Sequence, residues 1–502
     1  MNYFAGMIPF FVVLALGGAF LVSLAGRRLK IFPDIAGLLT TFSLLLLSVL
    51  AVIAVSGGGL LVYSIGAWRP PVGINFVLDG LAAFMLVTVN LIAFLVSLYA
   101  VNYMERYTDK WKFYTLFLLM LGGMNGVIIT GDMFNLFVYL EIASIASYAL
   151  VAFGTEKHEL EAAFKYAVMS TVGSLFILMG IVFLYSYTST LNMAHMALVL
   201  AQRGTSNILL MVSILFIMGF GLKAALVPFH AWLPDAHPSA PAPISAMLSG
   251  VLIKSLGVYA LCRVFYNVIG INPALSSVFL VLGTLSMLIG VFLAIGQWDL
   301  KRLLAYHSIS QIGYVILGLG LGTPLGIVGG LFHLFNHSVF KSLLFLNSGS
   351  VEYATGTRDL NKMGGLIKKM PVTGRTNLVA SMSIAGIPPF NGFWSKLIII
   401  IAAVQAQEFF YAFWAVLASI LTLASFMKVT KYCYFGRLKE KLKGVKEVPV
   451  CMKVSMSLLA IICILGGLLI LPRGESLFLG KAGYSLLKGT SYGNEVFEEV
   501  NK

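Results

Sequence analysis

Apolar runs about as long as a membrane is thick follow one another almost without interruption from residue 4 to residue 471. A helix needs about 20 mostly apolar residues to cross a hydrocarbon core of about 30 Å. Read against Gly, Pro and charge punctuation, the runs resolve into about fourteen spans, from 4–25 and 35–55 at one end to 409–434 and 451–471 at the other. A bilayer offers no water to unpaired backbone groups, so such a chain must be mostly helical. The expected fold class is an all-α polytopic membrane protein. With 59% hydrophobic and only 11% charged residues, a soluble globular chain is excluded.

The segments 56–75, 189–206, 350–375 and 435–450 are polar or mixed, and none is long enough for a separate folded domain. The expected organisation is one membrane domain over 1–471 with a polar tail over 472–502. The first span has neither a basic leader nor a small-residue cleavage site, which argues against a removable signal peptide. Cys262, Cys433, Cys451 and Cys463 form no C-x-x-C pair and read as packing residues, not as cluster ligands or a disulfide framework.

The net charge of +14 does not point to nucleic acid, because the cations are scattered between the spans. Their distribution carries topology instead. Loops after odd-numbered spans hold 19 Lys and Arg, whereas loops after even-numbered spans hold Arg69, Arg203 and Arg263 alone. Basic loops stay on the cytoplasmic side, so both termini are expected outside the cell membrane.

Spans four to eight (112–265) and nine to thirteen (276–434) form two sets of five. Five is odd, so a second set repeating the first would enter the membrane upside down. Phe164-Lys165 in the sixth span matches Phe340-Lys341 in the eleventh. The seventh and twelfth spans each combine an interior Lys with Pro, as Lys223 with Pro228 and Pro388-Pro389 with Lys396. Proline removes a helix donor, so both helices are expected to break near mid-membrane. Paired broken helices in inverted halves point to a transport site.

The buried charges give that site its chemistry. Glu141 and Lys254 each lie deep within an apolar span, where a charge costs about 2.5–3.5 kcal/mol to insert. Lys223 is the natural partner of Glu141, since opposite charge keeps both ionised where a lone buried Lys tends to lose its proton. The eleventh span carries His333, His337 and Lys341 at i, i+4 and i+8 on one helix face. Imidazoles exchange protons near neutral pH, which suits relay. The same His pair fits a metal, but no nearby Glu or Cys completes a first shell. Lys396 continues the row, His307 adds a titratable group, and Lys165 lies near a span end where it could snorkel to the interface. An inert structural ion pair is the plainer alternative for the charges. No Walker A loop, dinucleotide fingerprint or nucleophile elbow is present in the sequence, so no cofactor and no covalent chemistry are expected.

The run Phe220-Gly-Leu-Lys-Ala-Ala-Leu-Val-Pro-Phe-His-Ala-Trp-Leu-Pro-Asp-Ala-His-Pro-Ser-Ala-Pro resembles the signature of the antiporter-like subunits shared by respiratory complex I, multisubunit Na⁺/H⁺ (Mrp) antiporters and energy-converting membrane-bound hydrogenases. Tyr139-Leu-Glu, Leu303-Leu-Ala-Tyr-His-Ser-Ile-Ser-Gln and Ile387-Pro-Pro-Phe-Asn-Gly-Phe-Trp-Ser-Lys extend the likeness, the last resembling the D-type Mrp protein and its hydrogenase counterpart. The resemblance implies that Glu141 and Lys223 switch proton transfer, that Lys254 receives the proton, that the eleventh-span His and Lys continue a central axis, and that Lys396 is the exit group. It also implies two inverted half-channels and a place among other membrane subunits, a hydrogenase-like redox module being one candidate. Whether Na⁺ passes through this chain as well as protons stays open at this point, as do an independent transporter of an organic solute and an inert scaffold.

Overall fold

The computed structural model describes residues 4–204 and 206–501, and they are almost all helical. The membrane helices begin with α1 (Phe10–Ala25), α2 (Phe32–Gly58), α3 (Gly80–Tyr103) and α4 (Lys110–Ile129). Then come α5 (Met133–Val151), α6 (Lys157–Thr188), the short α7 (Met193–Arg203), α8 (Asn207–Ala224) and α9 (Leu233–Ser239). Next are α10 (Ala242–Val268), α11 (Pro273–Ile295), α12 (Leu300–Gly320) and α13 (Pro324–Thr355). The chain closes with α14 (Pro371–Ala385), α15 (Asn391–Gln405), α16 (Phe409–Tyr434), α17 (Val450–Ile470), α18 (Gly480–Leu487) and α19 (Tyr492–Asn501).

Twelve described helices are long and apolar enough to cross a membrane, which makes the chain a polytopic all-α membrane protein. Two of the fourteen expected spans fall outside that measure. The span at 324–349 is α13, whose apolar run is interrupted by His333, Asn336, His337, Lys341 and Asn347. The span at 376–404 is divided between α14 and α15.

Local sequence sets the ends of these helices. Asp132, Asn192, Ser206, Asn272, Asp299 and Thr323 each accept a hydrogen bond from the backbone N–H three residues on, capping α5, α7, α8, α11, α12 and α13. Pro273, Pro324 and Pro371 occupy first helical positions, where a missing N–H costs nothing.

The expected breaks are present. α8 ends at Ala225 in the left-handed region, with the Leu226 N–H donating to Gly221 O at 2.9 Å. α14 ends at left-handed Gly386 in the same way, with Ile387 N–H donating to Met382 O at 3.0 Å. A second likeness joins the starts of α5 and α12. Asp132 bridges Asn192, and Asp299 bridges Asp359, each pair antiparallel.

One segment departs from the all-helical expectation. Within 56–75 and just beyond, β1 (Leu61–Ser64) pairs antiparallel with β2 (Asn75–Leu78), Leu61 opposite Leu78 and Ser64 opposite Asn75. Arg263 also differs from its reading as a loop residue. It is buried on α10, and its guanidinium holds the Asp79 carboxylate through two bonds of 2.7 Å. The tail segment is helical and docked: Asn267 donates to Ser485 O at 2.8 Å, and Arg263 lies over the Tyr492 ring at 5.1 Å.

α10 is buried along its whole length, α12 nearly so, and α13 is buried from Gly329 to Val351. Around this centre, α1, α2, α6, α16 and α17 turn mostly apolar faces outward.

Candidate functional site

Glu141 projects from the middle of α5 towards the end of α8, where Lys223 occupies the last turn before the break. The Lys223 ammonium stands 3.6 Å from Glu141 Oε1. It also donates to Ser144 Oγ at 2.9 Å and Ser170 Oγ at 2.7 Å, and the Ser174 hydroxyl donates to Glu141. Lys223 is buried while Glu141 keeps a quarter of its side chain exposed. Placement at the carboxyl end of a helix favours a cation, because the last carbonyls present partial negative charge there.

Lys254 sits in a wide-turned stretch of α10, Leu248–Tyr259, and donates to Gly250 O at 2.8 Å and to Ser249 O. α10 approaches α8 closely, since a Cβ on Gly257 would fall 2.5 Å from the Ala224 backbone nitrogen. On its other side α10 meets α12 through Ser249 Oγ and Ser308 Oγ, 2.7 Å apart.

The α13 stripe is buried as a unit. His333 Nδ1 lies 2.9 Å from Ser395 Oγ, the His333 and His337 rings stack at 6.3 Å, and Lys341 donates to Leu304 O on α12. His307, also on α12, pairs with Ser425 Oγ at 2.8 Å. Lys396 lies just past the second break. Its ammonium reaches back to Ile384 O at 2.8 Å and Ser419 Oγ at 3.3 Å, and rests over the Tyr314 ring at 4.8 Å. Ile384 stands two residues before Gly386, as Lys223 stands two before Ala225. Both cations therefore meet the carboxyl end of a broken half-helix.

Lys165 is the one candidate outside this interior. It is half-exposed, paired with Glu161 at 2.8 Å and with Asp235 at 3.4 Å. Those three residues share a surface cavity of about 270 Å³ with Asp299, Arg302 and Arg358. A second cavity, about 250 Å³, opens beside Lys396, Gly386 and Ser419.

Two features were not singled out in the sequence. His237 is completely buried on α9, with neither ring nitrogen bonded among the described residues, and its ring meets Phe345 at 5.4 Å. Phe345 also underlies the Lys341 ammonium at 5.5 Å. His237 lay inside the long motif around Lys223, between Pro234 and Pro238, and was not singled out there. The serines around Lys223 carried no signal beyond the i, i+4 spacing of Ser170 and Ser174.

Likeness to known proteins decides the family. The family described as NADH:quinone oxidoreductase/Mrp antiporter, TM, matches residues 130–422, and the complex I chain 5 N-terminal family matches residues 70–114. The chain is 36% identical to the D-type subunit of the Na⁺/H⁺ antiporter of Alkalihalophilus pseudofirmus over 434 residues, 86% of each protein. The chain belongs to this family. Another relative is the N-type subunit of the NADH-quinone oxidoreductase of Desulforudis audaxviator, 37% identical over 75% of this chain and 76% of that protein. Among solved structures, a chain of the Mrp complex from Dietzia sp. DQ12-45-1b superposes with a TM-score of 0.91 at 29% identity, covering 99% of this chain and all of that one. A chain of the membrane-bound sulfane sulfur reductase, an archaeal respiratory membrane complex, superposes with a TM-score of 0.89 at 31% identity over 99% of both. The NADH:quinone oxidoreductase/Mrp antiporter fold thus extends over essentially the whole chain, tail helices included.

Proposed function

We propose that this antiporter-like chain is the proton-translocating subunit of a multisubunit energy-converting membrane complex, of Mrp or redox-driven type, surrounded by other membrane subunits. The observation that carries the reading is the Lys223–Glu141 pair of 3.6 Å at the broken end of α8. Such a pair stabilises two charges that are each costly alone at that depth. When Glu141 is protonated or withdraws, the Lys223 ammonium loses its countercharge, and passing a proton inward relieves that cost. Lys254 is the receiving amine, and His333, His337 and Lys341 continue the row to Lys396. Buried polar atoms require partners. Both ring nitrogens of His237 and His337 and both amide atoms of Gln311 are buried without a hydrogen bond among the described residues, which supports water joining this row.

The cavity bordered by Lys165, Asp235, Arg302 and Arg358 serves as a vestibule, and the buried His237 is next in the chain to Pro238 of its lining. The cavity beside Lys396 serves the opposite half. The matched bridges at Asp132 and Asp299 and the matched breaks after Lys223 and Ile384 support the two inverted repeats over 112–265 and 276–434. Five membrane crossings separate the two bridges, which puts them on opposite faces. The basic loops favour the cytoplasm for the face bearing 358–375 and 435–450, with both termini outside. Nothing in the geometry favours an organic solute.

The test is coupled transport in membrane vesicles carrying the assembled complex. Glu141→Ala is expected to abolish ion-coupled proton movement while the complex still assembles. Coupled transport at the wild-type level in that variant would overturn the proposal.

A further inference from the structure

A second set of charges lies outside the membrane-buried row. The segment 435–449 joins α16 to α17 in 15 residues, so it stays at the membrane surface. It folds back onto the segment 359–370: the Gly365 N–H donates to Phe435 O at 2.8 Å, and the Lys439 ammonium donates to Asn361 O. The seam is close. A Cβ on Gly364 would fall 2.7 Å from Arg437 O, and one on Gly365 would fall 2.7 Å from the Leu438 nitrogen. Leu442 is buried beneath the loop.

The fold-back merges two loops into one basic surface. Lys362, Lys368 and Arg375 contribute from one segment, and Arg437, Lys439, Lys441, Lys443 and Lys446 from the other, all exposed. Few acids offset them. Glu440 pairs with Lys443 at 2.7 Å and Asp359 with Lys362 at 3.7 Å. Glu447 turns inward, accepting from the Val372 N–H at 2.8 Å and the Thr373 hydroxyl at 2.7 Å to cap α14.

Topology accounts for the sign of these loops but not for their union. The cations also sit beside exposed apolar side chains, Tyr432, Phe435 and Val450, the mixture found where a protein surface meets the headgroup layer. A soluble acidic partner has no use for that apolar rim, whereas a lipid headgroup with its acyl chains fits both parts. Clusters of roughly four to eight cations directly beside a membrane span hold anionic headgroups. We propose that the surface formed by segments 359–375 and 435–449 binds anionic phospholipid headgroups. The proposal is independent of the proton row.

The complex is equilibrated in nanodiscs of equal phosphatidylcholine and phosphatidylglycerol, transferred to detergent, and analysed for both lipids retained per complex. Wild type is expected to retain phosphatidylglycerol preferentially, and raising the salt should release it, because exposed charges are screened. The combined Lys439→Gln, Lys441→Gln, Lys443→Gln and Lys446→Gln variant should lower the ratio of retained phosphatidylglycerol to phosphatidylcholine about tenfold. Arg27→Gln, Arg28→Gln and Lys30→Gln together, in another basic loop, should leave it near wild type. An equal ratio in wild type and the fourfold variant, or an equal fall in the control, overturns the proposal. If the fourfold variant fails to assemble, salt-independent retention by wild type does the same. Lysines of this patch that resist acetylation in the delipidated complex would show a protein partner covering it, which also overturns it.

Discussion

Lys223 donates to Ser144 and Ser170 and stands 3.6 Å from the Glu141 carboxylate, which accepts from the Ser174 hydroxyl. A hydrogen bond to a charged group contributes about 1.5–3 kcal/mol. Ser174→Ala should therefore reduce coupled proton transport by about ten- to a hundredfold, measured as dye-reported flux in proteoliposomes at equal protein. An unchanged flux would show that Ser174 does not position Glu141. Glu141, Lys223, Lys254 and Lys396 were legible in the sequence because a charge in an apolar run is too costly to be incidental. The serines were not, since Ser is common in membrane helices and only the packing of α5, α6 and α8 reveals that three of them surround one pair. His237 was hidden differently: it shares a short helix with Pro234 and Pro238, and only the packing shows it to be buried. Lys165 was read from its neighbourhood to a span end, and the structure gives it partners, Glu161 and Asp235, that the one-dimensional pattern could not supply.

At the scale of elements, the breaks after α8 and α14 followed from proline placed beside an interior lysine. The left-handed residues that end them, Ala225 and Gly386, complete the stops. The hairpin β1–β2, the wide-turned stretch of α10 and the docking of α18 and α19 were not foreseen, because each depends on partners distant in sequence. Asp79 shows how these pieces are held. Its carboxylate caps α3 and grips Arg263 on α10, whose other face meets Tyr492 of α19. Removing one partner of such a buried pair leaves the other uncompensated, at about 3–5 kcal/mol. Asp79→Asn should lower the stability of the purified protein by about that amount, read from thermal unfolding in detergent, and an unchanged melting temperature would contradict the latch. Burial pushes the Asp79 carboxyl up, but the Arg263 guanidinium, the Ala82 N–H and Lys488 together outweigh this and hold it below the usual carboxylate range. The stabilisation is thus fully present above the unfolded carboxylate pKa of about 3.9 and disappears as pH falls through the lower folded value.

Across the whole molecule, Lys254, His307, His333, His337 and Lys341 lie on the most buried helices, α10, α12 and α13, and Lys223 and Lys396 lie beside the two breaks; the proposed row joins them. The apolar faces of α1, α2, α6, α16 and α17 are left for lipid and neighbouring subunits. A straight pore would need a continuous opening across the bilayer. The two cavities described instead open near Lys165 and near Lys396, at different parts of the molecule. Fold class and family were readable from span length, proline placement and one long motif. The order of the groups in space was not, because sequence does not show which helix faces which. Lys254 tests that order best: it lies on the fully buried α10, packed between α8 and α12, and its ammonium bonds only to carbonyls of its own helix among the described residues. The decisive measurement is proton flux through the assembled complex in proteoliposomes after Lys254→Met, which keeps the side-chain bulk and removes the charge. Flux falling to background in a complex of normal subunit composition is the predicted result, and flux at the wild-type rate would contradict the row.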